Sequence, residues 1–171
     1  MSTALPSLTL VLGGQRSGKS AYGENLIGDA KAVYLATAEA LDGEMADRIA
    51  RHQGRRGDQW TAVEEPVDIA GALLHHDQFG RPVLLDSLGM WVANLLGAQK
   101  NVARETSRLI KAVENLTCPL VIVSDEAGLG VIPDNALARQ YLDAVGSTNQ
   151  AVAAAADRVV MVIAGLPQIL K

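Results

Sequence analysis

Short, uninterrupted runs of apolar residues alternate with longer stretches of helical periodicity along this chain. Within the runs, apolar side chains occupy consecutive positions, which is typical of strands that are buried on both faces of a sheet. Residues 159–164 form one of the longest runs, far short of the roughly eighteen residues of a membrane-spanning helix, so we expect no membrane span. The pattern predicts strands at 8–12, 31–36, 60–64, 82–86, 119–124 and 158–164, and helices at 19–27, 42–53, 67–75, 88–96, 102–116 and 135–156.

The regular alternation of strands and helices predicts an α/β fold, with a doubly wound, mostly parallel sheet and helices on both of its faces. A turn signal at Gly165, Leu166 and Pro167 would let residues 168–170 fold back as an antiparallel edge strand. The chain shows no internal repeat, low-complexity tract or linker, and 171 residues is the size of one ordinary domain. We therefore predict a single domain over residues 1–171.

Composition narrows the class of protein further. Hydrophobic residues make up 49% of the chain and charged residues 20%, which is a globular balance. The net charge of −4 argues against a general nucleic-acid binder. The single cysteine, Cys118, has no partner for an internal disulfide. The first residues lack a basic start followed by a long apolar stretch, and we expect a cytoplasmic location.

The segment after the first predicted strand fits the phosphate-binding pattern G-x-x-x-x-G-K-[ST]. Its glycines let the backbone turn tightly and direct N–H groups at phosphate oxygens, and the following helix adds the partial positive charge of its N-terminus. Lys19 is predicted to reach the β- and γ-phosphates, and the Ser20 hydroxyl to bind Mg²⁺. The alternative is a Gly-rich turn with an exposed lysine. The pattern indicates a P-loop NTPase with a RecA-like sheet, and its residues are Gly13, Gly14, Gln15, Arg16, Ser17, Gly18, Lys19 and Ser20.

A carboxylate at the end of a neighbouring strand should complete the magnesium site, either directly or through water. Asp86 ends the predicted strand 82–86 and is our first candidate. Asp125, just after the strand 119–124, is the competitor. Aspartates at such positions also serve as plain helix caps, and Asp86 precedes a predicted helix.

A histidine lies among four arginines in this acidic protein. Arg48, Arg51, Arg55 and Arg56 surround His52, and Arg48 shares a helical face with it. Such a cluster is better tolerated with an anion, such as a nucleotide phosphate, among its members. The arginines would also favour neutral imidazole, which can act as a nucleophile. From the residues alone, a helix cap and a solvated basic face are the stronger interpretation.

Taken together, these motifs resemble the bifunctional adenosylcobinamide kinase / adenosylcobinamide-phosphate guanylyltransferase family of cobalamin biosynthesis. Residues 13–20 resemble that family's GGARSGKS, and residues 126–133 resemble its EVGxGIVP. The resemblance runs nearly end to end. It continues through 42–45, His52, Trp60, Glu64, Pro66, 84–88, Trp91, 94–96, Asn149, Gln150 and Asp157.

The resemblance implies two reactions with ATP and GTP as nucleotide substrates and Mg²⁺ as the cofactor. The first transfers a γ-phosphoryl group to adenosylcobinamide. In the second, His52 attacks the α-phosphorus of GTP, and the GMP group then passes to adenosylcobinamide phosphate. Lys19 and His52 are the implied catalytic residues, and a homo-oligomer, often a trimer, is the implied assembly. Further implied nucleotide contacts are Thr37, Gln53, Arg55, Arg56, Glu64 and Asp86.

The chain departs from the family pattern at two positions of the presumed phosphate site. Gln15 stands where alanine is usual, and Asp125 replaces the usual asparagine, which adds a negative charge. Three alternatives to the bifunctional enzyme remain at this point. They are a guanylyltransferase without kinase activity, a simple small-molecule P-loop kinase without a covalent step, and a RecA-like nucleotide-dependent binding module.

Overall fold

The computed structural model describes residues 5–38 and 57–171, which form seven strands and five helices. The sheet order is β3-β2-β4-β5-β1-β6-β7, parallel throughout except for the antiparallel pair β6–β7. The strands are β1 (Leu8–Gly13), β2 (Ala32–Ala36), β3 (Trp60–Glu64), β4 (Val83–Asp86), β5 (Leu120–Asp125), β6 (Arg158–Ile163) and β7 (Leu166–Ile169). The helices are α1 (Lys19–Ile27), α2 (Ile69–Asp77), α3 (Leu88–Gly97), α4 (Val102–Val113) and α5 (Ala136–Ala155).

Both faces of the central strands are covered, which explains the continuous apolar runs in them. On one face, the strands pack against α2, α3, α4 and α5 in a cluster that includes Leu10, Leu35 and Trp91. On the other face, α1 packs through Ile27 against residues such as Val11 and Val121. The predicted α/β fold, with helices on both faces and an antiparallel C-terminal strand, is therefore confirmed.

Several boundaries differ from the predicted ones, and helix α4 ends at Val113, three residues earlier than expected. Two of the differences have local reasons. Helix α2 begins two residues later than expected because the Asp68 side chain caps it, accepting a hydrogen bond from the Gly71 N–H at 3.0 Å. Strand β7 begins earlier, and Pro167 lies within it. Proline is tolerated there because β7 is an edge strand. The predicted helix at 42–53 lies outside the described residues.

The parallel strands place several polar side chains along one edge of the sheet. Gly13 at the end of β1 pairs with Asp125 of β5, and Asp86 of β4 pairs with Val123 two residues before it. Glu64 ends β3 at the far end of the same edge. Ligands of open α/β sheets bind at such a carboxyl edge. None of the helices in the described part of the chain combines the length and the hydropathy of a membrane span.

Candidate nucleotide-binding site

The loop between β1 and α1 has the backbone that its glycines permit. Gly18 has a φ of 95°, and a Cβ there would lie 3.3 Å from the Cα of Gly165. At Gly13, a Cβ would come within 2.8 Å of the Val162 carbonyl oxygen. The Ser17 N–H donates to the Gly14 carbonyl at 3.2 Å and closes the turn. Both the left-handed φ and the close approaches therefore require glycine at 13 and 18.

The turn between β6 and β7 forms a hydrogen bond with the phosphate-binding loop. The Gly165 N–H donates to the Ser17 carbonyl oxygen at 2.8 Å. Gly165 itself has a φ of 80°, a conformation that side chains with a Cβ disfavour. The β6–β7 hairpin thus fixes the position of the loop at Ser17. The sequence patterns did not indicate this contact.

One polar atom of the loop is buried without a partner. Among the described residues, the Ser17 Oγ atom makes no hydrogen bond. Native proteins rarely leave such an atom unsatisfied. The loop also begins a helix at Lys19, and the partial positive charge of a helix N-terminus fits an anionic ligand.

Lys19 brings a positive charge to the same place. Only 7% of the residue is exposed. Its Nζ donates to the Gly14 carbonyl oxygen at 3.2 Å and forms an ion pair with Asp125 Oδ1 at 2.8 Å. The alternative of an exposed lysine on a Gly-rich turn is therefore wrong.

Side chains of helix α5 contact Asp125 at its backbone carbonyl and near its carboxylate. The side-chain amide of Asn149 donates to the Asp125 carbonyl oxygen at 3.0 Å, and its own oxygen accepts from Ser124 Oγ at 2.6 Å. Tyr141 lies close to the carboxylate: burial, and then the charge of Asp125, raise the pKa of the Tyr141 hydroxyl. Asp125 is thus fixed next to the phosphate-binding loop, and its carboxylate faces Lys19.

The second carboxylate, Asp86, lies on the same edge but one strand further away. The Tyr34 hydroxyl donates to Asp86 Oδ2 at 2.6 Å, which orients the carboxylate. Strand β4 lies two positions from β1, about 10 Å across the sheet. Asp86 therefore lies two strands away from the loop, while Asp125 lies directly beside it.

The oxygen groups present fit a magnesium ion that is shared with a nucleotide. Ser20 is half-buried in the first turn of α1, and Asp86 is half-buried at the sheet edge. Across the described residues, no group of three or more His, Cys, Asp or Glu side chains could hold a metal. Magnesium commonly takes one or two protein oxygens and completes its shell with phosphates and water. The pair therefore suits Mg²⁺ only together with a bound triphosphate.

Two other predicted nucleotide contacts occupy different environments. Thr37 is fully buried, and its hydroxyl both donates to the Ser87 carbonyl at 2.7 Å and accepts from the Ser87 N–H at 2.9 Å. Its side chain thus fixes the start of α3, directly after Asp86. Glu64 is exposed at the end of β3, four strand positions from β1, or about 19 Å. Direct nucleotide contact by either residue stays a prediction.

The remaining predicted site residues lie outside the described part of the chain. They are His52, Gln53, Arg55 and Arg56. Their roles therefore rest on the sequence alone.

Sequence comparison agrees with the geometry of the loop. The family model described as cobinamide kinase / cobinamide phosphate guanyltransferase matches residues 9–170. The chain belongs to this family. The family expected from the motifs is thus confirmed, and with it the class of enzyme, a bifunctional kinase and guanylyltransferase of cobalamin biosynthesis.

Curated relatives extend over nearly the whole chain. The bifunctional adenosylcobalamin biosynthesis protein CobP of Pseudomonas aeruginosa is 41% identical over 166 residues, covering 95% of this chain and 96% of the relative. The bifunctional adenosylcobalamin biosynthesis protein CobU of Escherichia coli is 38% identical over 176 residues, covering 93% and 97%. The protein of the same name from Salmonella typhimurium is 37% identical.

Solved structures of other kinds of protein have a similar fold. The P4 protein from bacteriophage phi6, in complex with ADP, superposes with a TM-score of 0.53 at 18% identity over 95% of this chain. An ATPase from the type III secretion system of pathogenic bacteria gives a TM-score of 0.59 at 11% identity over 92%. The chain spans 54% and 51% of the lengths of these two proteins. At such identities the likeness concerns the fold alone.

Sequence reasoning missed three residues that shape the site. Tyr34 orients Asp86, Asn149 holds Asp125, and Gly165 supports the loop. Asn149 could have been found as a polar position on the apolar face of a predicted helix. Tyr34 gave no local signal, because its partner Asp86 lies far away in sequence. Gly165 gave a turn signal, but its contact with Ser17 could not be predicted, because Ser17 also lies far away in sequence.

Proposed function

We propose that this chain uses one phosphate-binding loop for two transfers. It moves the γ-phosphoryl group of ATP or GTP to adenosylcobinamide, and it moves GMP from GTP to the resulting adenosylcobinamide phosphate through His52. The observation that supports this most strongly is the buried Lys19, whose ammonium group lies 3.2 Å from the Gly14 carbonyl oxygen of the phosphate-binding loop. Both reactions require that a triphosphate be held in place.

In the kinase reaction, an alcohol oxygen of the corrinoid attacks the γ-phosphorus. The bond from that phosphorus to the bridging oxygen breaks, and the nucleoside diphosphate leaves. Lys19 stabilises the negative charge of the β- and γ-phosphate oxygens, and the N–H groups at the start of α1 add further donors. This chain's contribution to the step is thus positioning and charge stabilisation.

In the guanylyl transfer, a neutral imidazole nitrogen of His52 attacks the α-phosphorus of GTP, and pyrophosphate leaves. A phosphate oxygen of adenosylcobinamide phosphate then attacks the same phosphorus. The P–N bond breaks, which releases adenosyl-GDP-cobinamide and restores His52. Two easier displacements replace one difficult one. Arg55 and Arg56, next to His52 in sequence, are proposed to stabilise the leaving pyrophosphate.

Magnesium is the proposed cofactor, held by Ser20 and Asp86. When bound, the ion offsets phosphate charge. Two hydrogen bonds fix the surroundings of Asp86 before an ion binds. Tyr34 orients the Asp86 carboxylate, and Thr37 fixes Ser87, the residue after it. Thr37, Gln53 and Glu64 complete the proposed nucleotide contacts.

A transfer assay with two labels tests the proposal. The protein is incubated with adenosylcobinamide, Mg²⁺ and either γ-labelled ATP or α-labelled GTP, and label in the corrinoid product is measured. Lys19→Ala should lose both transfers, while Lys111→Ala, at an exposed position of α4, should keep both. Full activity in Lys19→Ala would contradict the proposal.

Substitution of the histidine separates the two reactions. His52→Ala should lose transfer of the α-label and keep transfer of the γ-label. His75→Ala, at an exposed position near the end of α2, is the matched control and should keep both. If His52→Ala retained guanylyl transfer, the covalent step would be wrong.

We also propose that the protein works as a homo-oligomer, a trimer by resemblance to its family, in the cytoplasm. Large apolar side chains are exposed after β5 at Leu129, Val131, Ile132 and Leu137. Such a patch on a small protein favours a partner surface. Light scattering on the purified protein tests the assembly, since a monomeric mass would contradict it. Cell fractionation tests the location.

A further inference from the structure

The ion pair between Lys19 and Asp125 joins two neighbouring strands at the phosphate site. Gly13 of β1 is paired in register with Asp125 of β5, so the aspartate lies directly beside the loop that carries Lys19. The Nζ–Oδ1 distance is 2.8 Å, and the two side chains are 9% and 27% exposed. This pair is more deeply buried than an ordinary surface ion pair.

The rest of Asp125 is enclosed by two helices. A Cβ added at Gly89 of α3 would collide with Asp125 Oδ2, and it would lie 3.0 Å from the Tyr141 hydroxyl of α5. Asn149, also on α5, holds the Asp125 carbonyl oxygen. The carboxylate is therefore confined between α3 and α5, with one oxygen directed at Lys19.

A bound triphosphate needs the same lysine. The ammonium group has three hydrogens, of which the Gly14 carbonyl and Asp125 take two. Phosphate oxygens that approach Lys19 bring negative charge towards the Asp125 carboxylate. Like charges at this range repel strongly in a partly buried site. Asp125 therefore stabilises the nucleotide-free protein and weakens the binding of the triphosphate.

We propose that Asp125 is the counter-ion of Lys19 in the nucleotide-free protein and a positioning residue for it, and that it does not bind the magnesium ion. The pair holds the lysine extended across the loop, where the phosphates arrive. The same pair weakens nucleotide binding, because the ligand must compete for the ammonium group. This inference rests on the proposed function only in that the loop binds a triphosphate.

The variant Asp125→Asn tests the inference, since it keeps the side-chain size and removes the charge. The control is Asp58→Asn, which makes the same change at an exposed position before β3, at the opposite edge of the sheet. The dissociation constant for GTP is measured by calorimetry, once with EDTA and once with Mg²⁺. The unfolding midpoint in urea is measured without nucleotide. Asp125→Ser, also neutral, is measured alongside.

Without Mg²⁺, Asp125→Asn should bind GTP at least about tenfold more tightly than the unchanged protein. Its urea midpoint should fall, because the buried ammonium has lost its counter-ion. Asp58→Asn should change neither quantity. If Asp125 served stability alone, Asp125→Asn would lower the urea midpoint without tightening GTP binding. Tighter GTP binding together with a lower midpoint therefore distinguishes the proposed role from a purely structural one.

Unchanged or weaker GTP binding in EDTA would overturn the inference. A loss of affinity that appears only with Mg²⁺ would make Asp125 a metal ligand and overturn it as well. If the wild-type protein bound no GTP, the proposed function would fail. The ion pair would then be tested by urea unfolding alone. A double-mutant cycle of Lys19→Met and Asp125→Asn should then show coupling between the two changes, and additive shifts would refute the pair.

Discussion

Replacing Asn149 by alanine tests the support beneath the phosphate site. Asn149 lies on α5, is 5% exposed, and makes two hydrogen bonds to the end of β5. Its oxygen accepts from Ser124 Oγ at 2.6 Å, and its amide donates to the Asp125 carbonyl at 3.0 Å. Alanine removes both partners while leaving the polar atoms of β5 in place.

The size of the effect follows from burial. The Ser124 side chain is fully buried, so its hydroxyl loses its acceptor where water does not replace it. Leaving a buried polar group unpaired costs about 1–3 kcal/mol, and two such groups with a small cavity give a loss of about 2–4 kcal/mol. For a chain of this length, that loss lowers the melting temperature by roughly 5 to 15 °C.

Urea unfolding followed by circular dichroism measures this loss, with Asn115→Ala as the control. Asn115 is exposed in the turn after α4, and its side-chain amide donates to the Lys111 carbonyl of that helix. Its removal should therefore change the free energy of unfolding by less than about 0.5 kcal/mol. Equal stability losses in the two variants would show that the buried hydrogen bonds of Asn149 do not stabilise the end of β5. GTP affinity should also weaken in Asn149→Ala, since the end of β5 would lose its fixed position beside the loop.

Two further predictions each concern one carboxylate and the hydrogen bonds that it accepts. Tyr34→Phe removes the donor to Asp86, so the Mg²⁺ concentration for half-maximal activity should rise several-fold; an unchanged requirement would show that Asp86 is oriented by other means. Asp77→Asn should destabilise the protein at neutral pH. Burial tends to raise the pKa of Asp77, but hydrogen bonds from Cys118 and Thr117 outweigh it and lower the pKa. The stabilisation is therefore present above the unfolded pKa of about 4 and is lost as the pH falls through the folded value. Urea midpoints across the acidic range should converge for the two proteins, and a constant difference would contradict this.

Local pattern was sufficient to predict most of the fold. Buried parallel strands read as continuous apolar runs, so β1 and β5 were found within about one residue, and Trp60–Glu64 was found with its observed bounds. The loop at residues 13–20 was found because a tight turn around phosphate restricts residue types. Helix α2 was placed less well, since its start depends on the cap at Asp68.

The arrangement around the loop depends on strand order, which local pattern does not encode. The motif alone suggested Asp86 and Asp125 as rivals for one role. In the sheet, β5 lies between β1 and β4, so Asp125 pairs with Lys19 and Asp86 lies one strand further away. Thr37 is likewise buried by a partner, Ser87, that lies fifty residues away.

The covalent step at His52 is observed by mass spectrometry of the protein after incubation with GTP and Mg²⁺. We expect the intact mass to rise by one GMP group and the modified peptide to contain His52. The adduct should withstand base, as a phosphoramidate does, and it should be absent from His52→Ala and Lys19→Ala. An unmodified wild-type protein, or equal modification in His52→Ala, would show that no GMP–histidine intermediate forms at His52.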